Sequence, residues 1–304
     1  MNNEETMAKQ NGALSSQTAN PASDARQGYG DAELQELHAV LHEILGEIIR
    51  VCDVLHIPYF INGGTVIGAK FFDDILPWDD DIDLGMRREH YERFLREAPA
   101  VLGKDYFLQW FGTDPNTPFY FAKVRKNNTL FMEEVCRNIN MHQGIYVDIF
   151  PYDKVPDNLF LRRVQRKAAL MLNTCFVCKE IWPYKYFGHC DISRPWKEGR
   201  GRVLLKRLIV TLFSKRRIFS WFQWVETLCD KGNSKNYGLL LINNELIPAS
   251  EIDHTRPVRF GPRMVQVMPD MDTYLFLHYG HVEKYPPAEK RVSHRPMKLL
   301  FHTK

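Results

Sequence analysis

Apolar residues fall at helical spacing over one long stretch near the start of the chain and then in a series of short runs. From Asp31, read as an N-cap, "DAELQELHAVLHEILGEIIRVCDVLHI" places Leu34, Leu37, Leu41, Ile44, Leu45, Ile48, Val51, Cys52 and Leu55 three or four apart. This predicts a long amphipathic helix ended by Pro58. The short apolar run "PYFIN" predicts a strand leading into Gly63-Gly64-Thr65, after which "TVIGAKFF" returns to helix. Further on, "REHYERFLREAPAVL" reads as helix, and "DYFLQWFG", "PFYFAKVRKNNT" and "GIYVDIFP" read as strands. The acidic "PWDDDIDLGM" sits where a strand belongs. The order is that of an α/β fold, a mixed sheet flanked by helices, in a nucleotide-handling layout.

The pattern also divides the chain. Residues 1–30 are rich in Asn, Ser, Gln, Ala and Gly, too poor in large apolar side chains to offset the entropy of ordering, and are expected to be a disordered tail. Residues 31–153 form the expected α/β core. Residues 154–256 change to helix-like segments rich in Arg, Lys and aromatics, as in "RRVQRKAALMLNTCFVCKEIWPY", and predict a helical insertion or subdomain. Residues 257–304 return to strand, short helix and a Pro-rich basic turn that completes the core.

The acidic segment poses a chemical question. In a strand, Asp79, Asp81 and Asp83 share one face while Asp80, Ile82 and Leu84 share the other. Carboxylates spaced about 7 Å apart along a half-buried strand stay ionised together only if a cation neutralises them. Mg2+ suits such an all-oxygen set, with Mn2+ as the alternative. A calcium-binding helix-loop-helix does not fit, because its sixth and twelfth loop positions would be Leu84 and His90 instead of Gly and Glu. The bland alternative is an acidic surface loop, which Trp78 and Leu84 on its flanks disfavour.

A helix starting near Thr65 directs free N–H groups and a positive dipole end at whatever lies before it, which favours phosphate, and Gly63 and Gly64 allow close approach. Paired glycines in an ordinary turn explain that segment equally well when it is taken alone. Asp148 in "GIYVDIFP" is an acid inside an apolar strand pattern, costly unless paired or coordinated. Metal binding, proton acceptance and an internal salt bridge all remain open for it.

Charge and composition narrow the class. Lys plus Arg number 40 against 37 Asp plus Glu, a balance that does not suggest nucleic acid as a partner. The first residues carry no basic region followed by an apolar stretch, and no run reaches the ~18 apolar residues of a membrane span, which predicts a cytoplasmic protein. Six irregularly spaced cysteines predict reduced core residues.

Glycine turn, helix, "PWDDDIDLGM", "AKVRKNNT", "GIYVDIFP" and the closing "YPPAEKRVSH" occur in that order, and together they resemble the LicD family, which includes the fukutin-related proteins. The resemblance runs from about Ile61 to Pro151 and resumes from about Phe260 to His294. It implies a nucleotidyltransferase-like fold and transfer of a phosphorylated alcohol, typically phosphocholine from CDP-choline, onto a surface glycan or its lipid-linked precursor. Carried over position by position, Gly63, Gly64 and Thr65 would contact donor phosphates, Asp79, Asp81 and Asp83 would hold Mg2+, and Asp148 would be the remaining acid. His281 follows Tyr279-Gly280 where the family pattern has an Asp. Lys123 and Arg125 alternate onto one strand face and would meet phosphate, or form a solvated face. Arg291 and His294 in the closing turn are further candidates.

Metal and cations would then neutralise a pyrophosphate while an acceptor hydroxyl attacks in line and CMP leaves. Two other readings stand beside it: nucleotidyl transfer with pyrophosphate leaving, and a non-catalytic nucleotide- or glycan-binding subunit. Cys175 and Cys178 with His189-Cys190 make a poor zinc set, since adjacent His and Cys rarely reach one tetrahedral ion. From Arg194 to Arg217, nine Lys and Arg against Glu198 alternate with Leu, Ile, Val and Phe. That stretch fits peripheral contact with an anionic membrane and a basic-faced core helix equally.

Overall fold

The computed structural model describes residues 29–181, 200–242, 246–287, 291 and 293–303. The tail before Tyr29 and the residues Trp182, His189, Cys190 and Trp196 lie outside them. Helix α1 (Asp31–Leu55) buries Leu37, Leu41, Ile44, Leu45, Ile48, Val51 and Cys52, the stripe set by the spacing. Its cap is Gly30, so Asp31 falls in the first turn with Glu33, where both charges meet the positive end of the helix. The helix stops before Pro58 is reached. His56 adopts a left-handed conformation with φ of 51°, and Ile57 N–H reaches back 2.9 Å to the Cys52 carbonyl.

Strand β1 (Phe60–Ile61) leads into α2 (Gly63–Phe72), which begins at the glycines themselves with Asn62 as the cap. Next come β2 (Asp83–Arg87), α3 (Arg88–Glu97), β3 (Tyr106–Gln109), β4 (Ala122–Lys126), β5 (Leu130–Met132) and the ten-residue β6 (Tyr146–Val155). The main sheet has the order β1-β2-β6-β4-β3, parallel between β2 and β6 and antiparallel elsewhere along that path. Beyond β6, the chain forms α4 (Leu159–Ile181), α5 (Arg200–Leu212), α6 (Lys215–Glu226), β7 (Asn236–Gly238), β8 (Leu246–Pro248) and α7 (Ala249–Ile252). Strand β7 pairs with the far end of β6 and β8 pairs with β7, extending the sheet. The hairpin β9 (Arg256–Phe260) and β10 (Arg263–Val267), helix α8 (Met271–Tyr279) and β11 (Lys298–Leu300), which pairs with β5, finish the chain.

Alternation assigns the two faces of the sheet. Leu84, Ile149 and Ala122 are register partners in one row and, with Val124 and Val147, are wholly buried in the cluster built on α1. The adjacent row, Asp83, Asp148, Lys123 and Gln109, points the other way. Phe176 of α4 and Phe219 of α6 meet Phe111 at 5.5 and 4.7 Å between centroids in a second core, which also takes in Cys175. Cys175 and Cys178 are thus buried helix residues. Arg88, at the start of α3, joins the layers: Nε and Nη2 donate to Asp153 at 2.6 and 2.7 Å, and Nη2 also to Glu226 at 3.0 Å, all three residues buried.

His142 gives the fold a sensitivity to acid. Its Nδ1 accepts from Gly144 N–H at 3.1 Å, its Nε2 lies 2.9 Å from Asn127 Oδ1, and its ring stacks on Phe107. A proton on Nδ1 would face that N–H. Burial first, and then the Arg125 charge, lower its pKa to about 4. Between the usual histidine range and that value the unfolded chain binds the proton and the folded chain does not, so stability falls as pH falls through this window. Urea midpoints measured from pH 7 to 4 should drop less for His142→Gln than for the parent; parallel curves would overturn this.

Candidate active site

The strand expected through the acidic run begins later than its sequence suggests. Residues Asp79 to Ile82 are irregular and β2 starts at Asp83, because Asp79 N–H closes a turn onto the Leu76 carbonyl at 2.9 Å. The side chains still alternate: Asp80, Ile82 and Leu84 are buried, while Asp79, Asp81 and Asp83 open partly to solvent. Burial first, and then mutual repulsion, raise the Asp83 carboxyl well above the ordinary range, through Asp81, Asp148 and Asp79. Asp79 is raised by burial and by Asp81 and Asp80, and Asp81 by burial and Asp80. A set of crowded carboxylates held near neutral only by protons is a donor set that a hard divalent cation fits.

Strand register adds Asp148 and Lys123 to this group. Asp83 pairs with Asp148 across the parallel β2–β6 ladder, and Asp148 pairs with Lys123 on β4. Lys123 Nζ donates to Asp148 Oδ1 at 2.6 Å and lies 3.4 Å from the centroid of Tyr146. The internal salt bridge is therefore present. Even so, burial leaves the Asp148 carboxyl up at about 6. The solvated-face alternative for Lys123 and Arg125 does not hold, since both are buried. Arg125 lies deeper: Nε donates to Gln109 Oε1 at 2.5 Å and Nη1 to the Gly144 carbonyl at 2.7 Å.

The front of α2 meets the carboxylates directly. A Cβ on Gly63, whose φ is +60°, would lie 3.1 Å from Asp83 Oδ2, and one on Gly64 would lie 3.2 Å from Asp79 Oδ2. The positive helix end thus faces negative charge of the protein's own. Gly63 N–H donates to Tyr274 Oη of α8 at 2.9 Å, and Thr65 Oγ1 accepts from Asp83 N–H at 2.9 Å. Thr65 therefore fixes the start of β2 behind the glycines.

Asp80 carries a second set of contacts that its position on the buried face did not announce. Its Oδ2 accepts from Tyr29 Oη at 2.6 Å and its Oδ1 from His294 N–H at 3.0 Å, so the acidic loop is clasped from both termini. Tyr29, grouped by composition with the tail, is thereby seated. The His294 imidazole is 64% exposed, with Nδ1 4.0 Å from Asp81 Oδ2. Among the described residues, Asp80, Asp81 and His294 bring one possible ligand atom each within 4.8 Å of one another. Arg291 turns back on the same loop, its Cζ 5.0 Å from the Trp78 ring and its Nε donating to the Pro286 carbonyl at 2.9 Å. Tyr274 was not singled out from the sequence. Its only signal there is an aromatic at the start of the α8 segment.

Residues 56–176 match the family model described as "LicD/FKTN/FKRP, nucleotidyltransferase domain". The lipopolysaccharide cholinephosphotransferase LicD of Haemophilus influenzae is 27% identical over 281 residues, covering 86% of this chain and 95% of that protein. The ribitol 5-phosphate transferase FKRP of Homo sapiens is 37% identical over 49 residues, covering 16% of this chain and 10% of that protein; that of Mus musculus matches to the same extent. The matched domain contains the glycine turn, the carboxylate loop, Lys123 and Asp148, and over these residues the chain is similar to the LicD family.

Proposed function

We propose that the protein is a divalent-metal-dependent phosphotransferase that moves a phospho-alcohol, most simply phosphocholine from CDP-choline, onto a cell-surface glycan or its lipid-linked precursor. The observation that carries this reading is the row Asp83–Asp148–Lys123, set in register beside Asp79 and Asp81 and against the front of α2. Likeness to a lipopolysaccharide cholinephosphotransferase along nearly its whole length supports the reaction class.

Asp79, Asp81 and Asp83 would hold Mg2+ or Mn2+, which when bound supplies charge neutralisation to a pyrophosphate. His294 is the added donor of a second arrangement through Asp81. The first arrangement is favoured because both Asp80 oxygens already accept hydrogen bonds. Gly63, Gly64 and Arg291 would face the donor phosphates, with Thr65 and Arg125 supporting from behind. An acceptor oxygen forms the new bond to the phosphorus bearing the alcohol, the bond from that phosphorus to CMP breaks, and the hydroxyl proton passes to Asp148. Lys123 orients that carboxylate and limits its charge.

The same reading takes residues 31–153 and 257–304 as the catalytic core and 154–256 as a helical subdomain that lends β7 and β8 to the sheet. Exposed Leu204, Leu205, Leu208 and Leu212 on α5, beside Arg207, support peripheral contact with an anionic membrane on the cytoplasmic side. Among the described residues, no helix is long and apolar enough to cross a membrane.

Purified protein incubated with Mg2+, CDP-choline and cell-envelope glycan should release CMP and add phosphocholine to the glycan, read by mass. Release of pyrophosphate would replace this reading with nucleotidyl transfer. No product from any CDP-alcohol or nucleotide-sugar donor would favour a binding subunit.

A further inference from the structure

We propose that Phe72, Trp78 and Tyr285 form the subsite for the donor's alcohol and select a quaternary ammonium head group over a polyol. The inference rests on the phosphotransferase reading and concerns what that site accepts. Phe72 ends α2, Trp78 immediately precedes Asp79, and Tyr285 comes from the turn after α8. The Trp78 and Tyr285 rings both stand nearly perpendicular to Phe72, at 88° and 83°, with centroids 5.8 and 5.5 Å from it. One ring with two upright neighbours is an aromatic corner beside the carboxylates.

Packing does not account for these three rings. None belongs to the three apolar clusters of the core, and Tyr285 is 62% exposed. Cations of the chain already sit on their faces. Lys284 Nζ is 5.1 Å from the Phe72 centroid and 5.7 Å from that of Tyr285, while Arg291 Cζ is 5.0 Å from Trp78. Lys284 therefore marks the position between two rings that a ligand's ammonium would take. A trimethylammonium group is weakly hydrated and presents methyl groups to the faces, so it displaces an exposed lysine from this corner. A neutral polyol gains nothing from the ring quadrupoles and must shed water.

Titration calorimetry on the full chain in Mg2+ buffer tests this with CDP-choline, CDP-ethanolamine, CDP-ribitol and CDP as probes. The expected result is binding of CDP-choline about tenfold or more tighter than CDP-ribitol. Tyr285→Leu should shrink that ratio several-fold while CDP affinity holds, Trp78→Leu should shrink it as well, and Tyr285→Phe should retain it. A melt confirms that each variant is folded. Equal affinities in the parent, or a ratio unchanged in both folded Leu variants, overturns the inference. If CDP-choline is preferred but no CMP is released, the subsite stands and the phosphotransferase reading fails. If CMP is released without preference among alcohols, the subsite fails and the reaction stands.

Discussion

Asp83→Asn will lose transfer activity by about 10²-fold or more and yet melt at a higher temperature than the parent in the absence of divalent metal. The two effects separate because the carboxylate costs the folded protein something before any ligand arrives. Burial and the neighbours Asp81, Asp148 and Asp79 raise its pKa above the unfolded value. A raised acid imposes no penalty below the unfolded pKa, where both states are protonated. The penalty grows as pH rises through the ordinary carboxylate range, because the unfolded chain then ionises and the folded chain resists. At neutral pH the amide is relieved of that cost; near pH 3 the advantage should vanish.

Activity moves the opposite way. Asn leaves the backbone bond to Thr65 in place but withdraws a negative charge from the donor set, and removal of one group that stabilises transition-state charge costs about 10²–10³-fold. Asp81→Asn should behave alike. The parent's melt should rise on adding Mg2+ or Mn2+, by an amount that grows with metal concentration, and the variants' melts should not. Near-normal CMP release from either variant, or loss of activity only through unfolding, would refute the metal-site reading.

Arg88→Met should be the most destabilising single change, by about 3–5 kcal/mol in urea or guanidinium denaturation. The guanidinium holds Asp153 with two bonds and Glu226 with a third, in a region closed to water. Its removal leaves two carboxylates of α6 and β6 facing each other without a cation. Burial already raises the Glu226 carboxyl well above its ordinary range with Arg88 present. Without Arg88 the Glu226 carboxyl is raised further, so the loss should be largest at neutral pH and shrink towards pH 4. Replacing all three residues with apolar ones should restore most of the stability, because a well-packed apolar set often matches a buried ion network. A loss below about 1 kcal/mol for the single variant would show that the network carries little.

The helix α1, the strand-glycine-helix unit and the strands holding Lys123 and Asp148 were legible in the sequence because each depends on local periodicity. Seven buried residues of α1 were all among the nine assigned to its apolar stripe. The alternation of Asp79, Asp81 and Asp83 against Asp80, Ile82 and Leu84 was equally legible, although the residues before Asp83 alternate in an irregular segment instead of a strand. An extended chain directs its side chains to opposite sides whether or not its ladder is paired.

What the sequence by itself determined is which side chains share a face and where charge is crowded, since these follow from the spacing of neighbours along one strand or helix. Only the tertiary structure decided which distant residues those faces meet. Register across β2, β6 and β4 placed Asp148 beside Asp83 and made Lys123 its partner, where sequence alone left a salt bridge, a ligand and a base equally open. Burial of Arg125, the clasp of Tyr29 and His294 on Asp80, and the meeting of Phe72, Trp78 and Tyr285 join residues up to 214 positions apart, as His294 is from Asp80. Such contacts form because packing helices against the sheet buries more apolar surface than any one element can, and no local pattern records which surfaces that packing brings together.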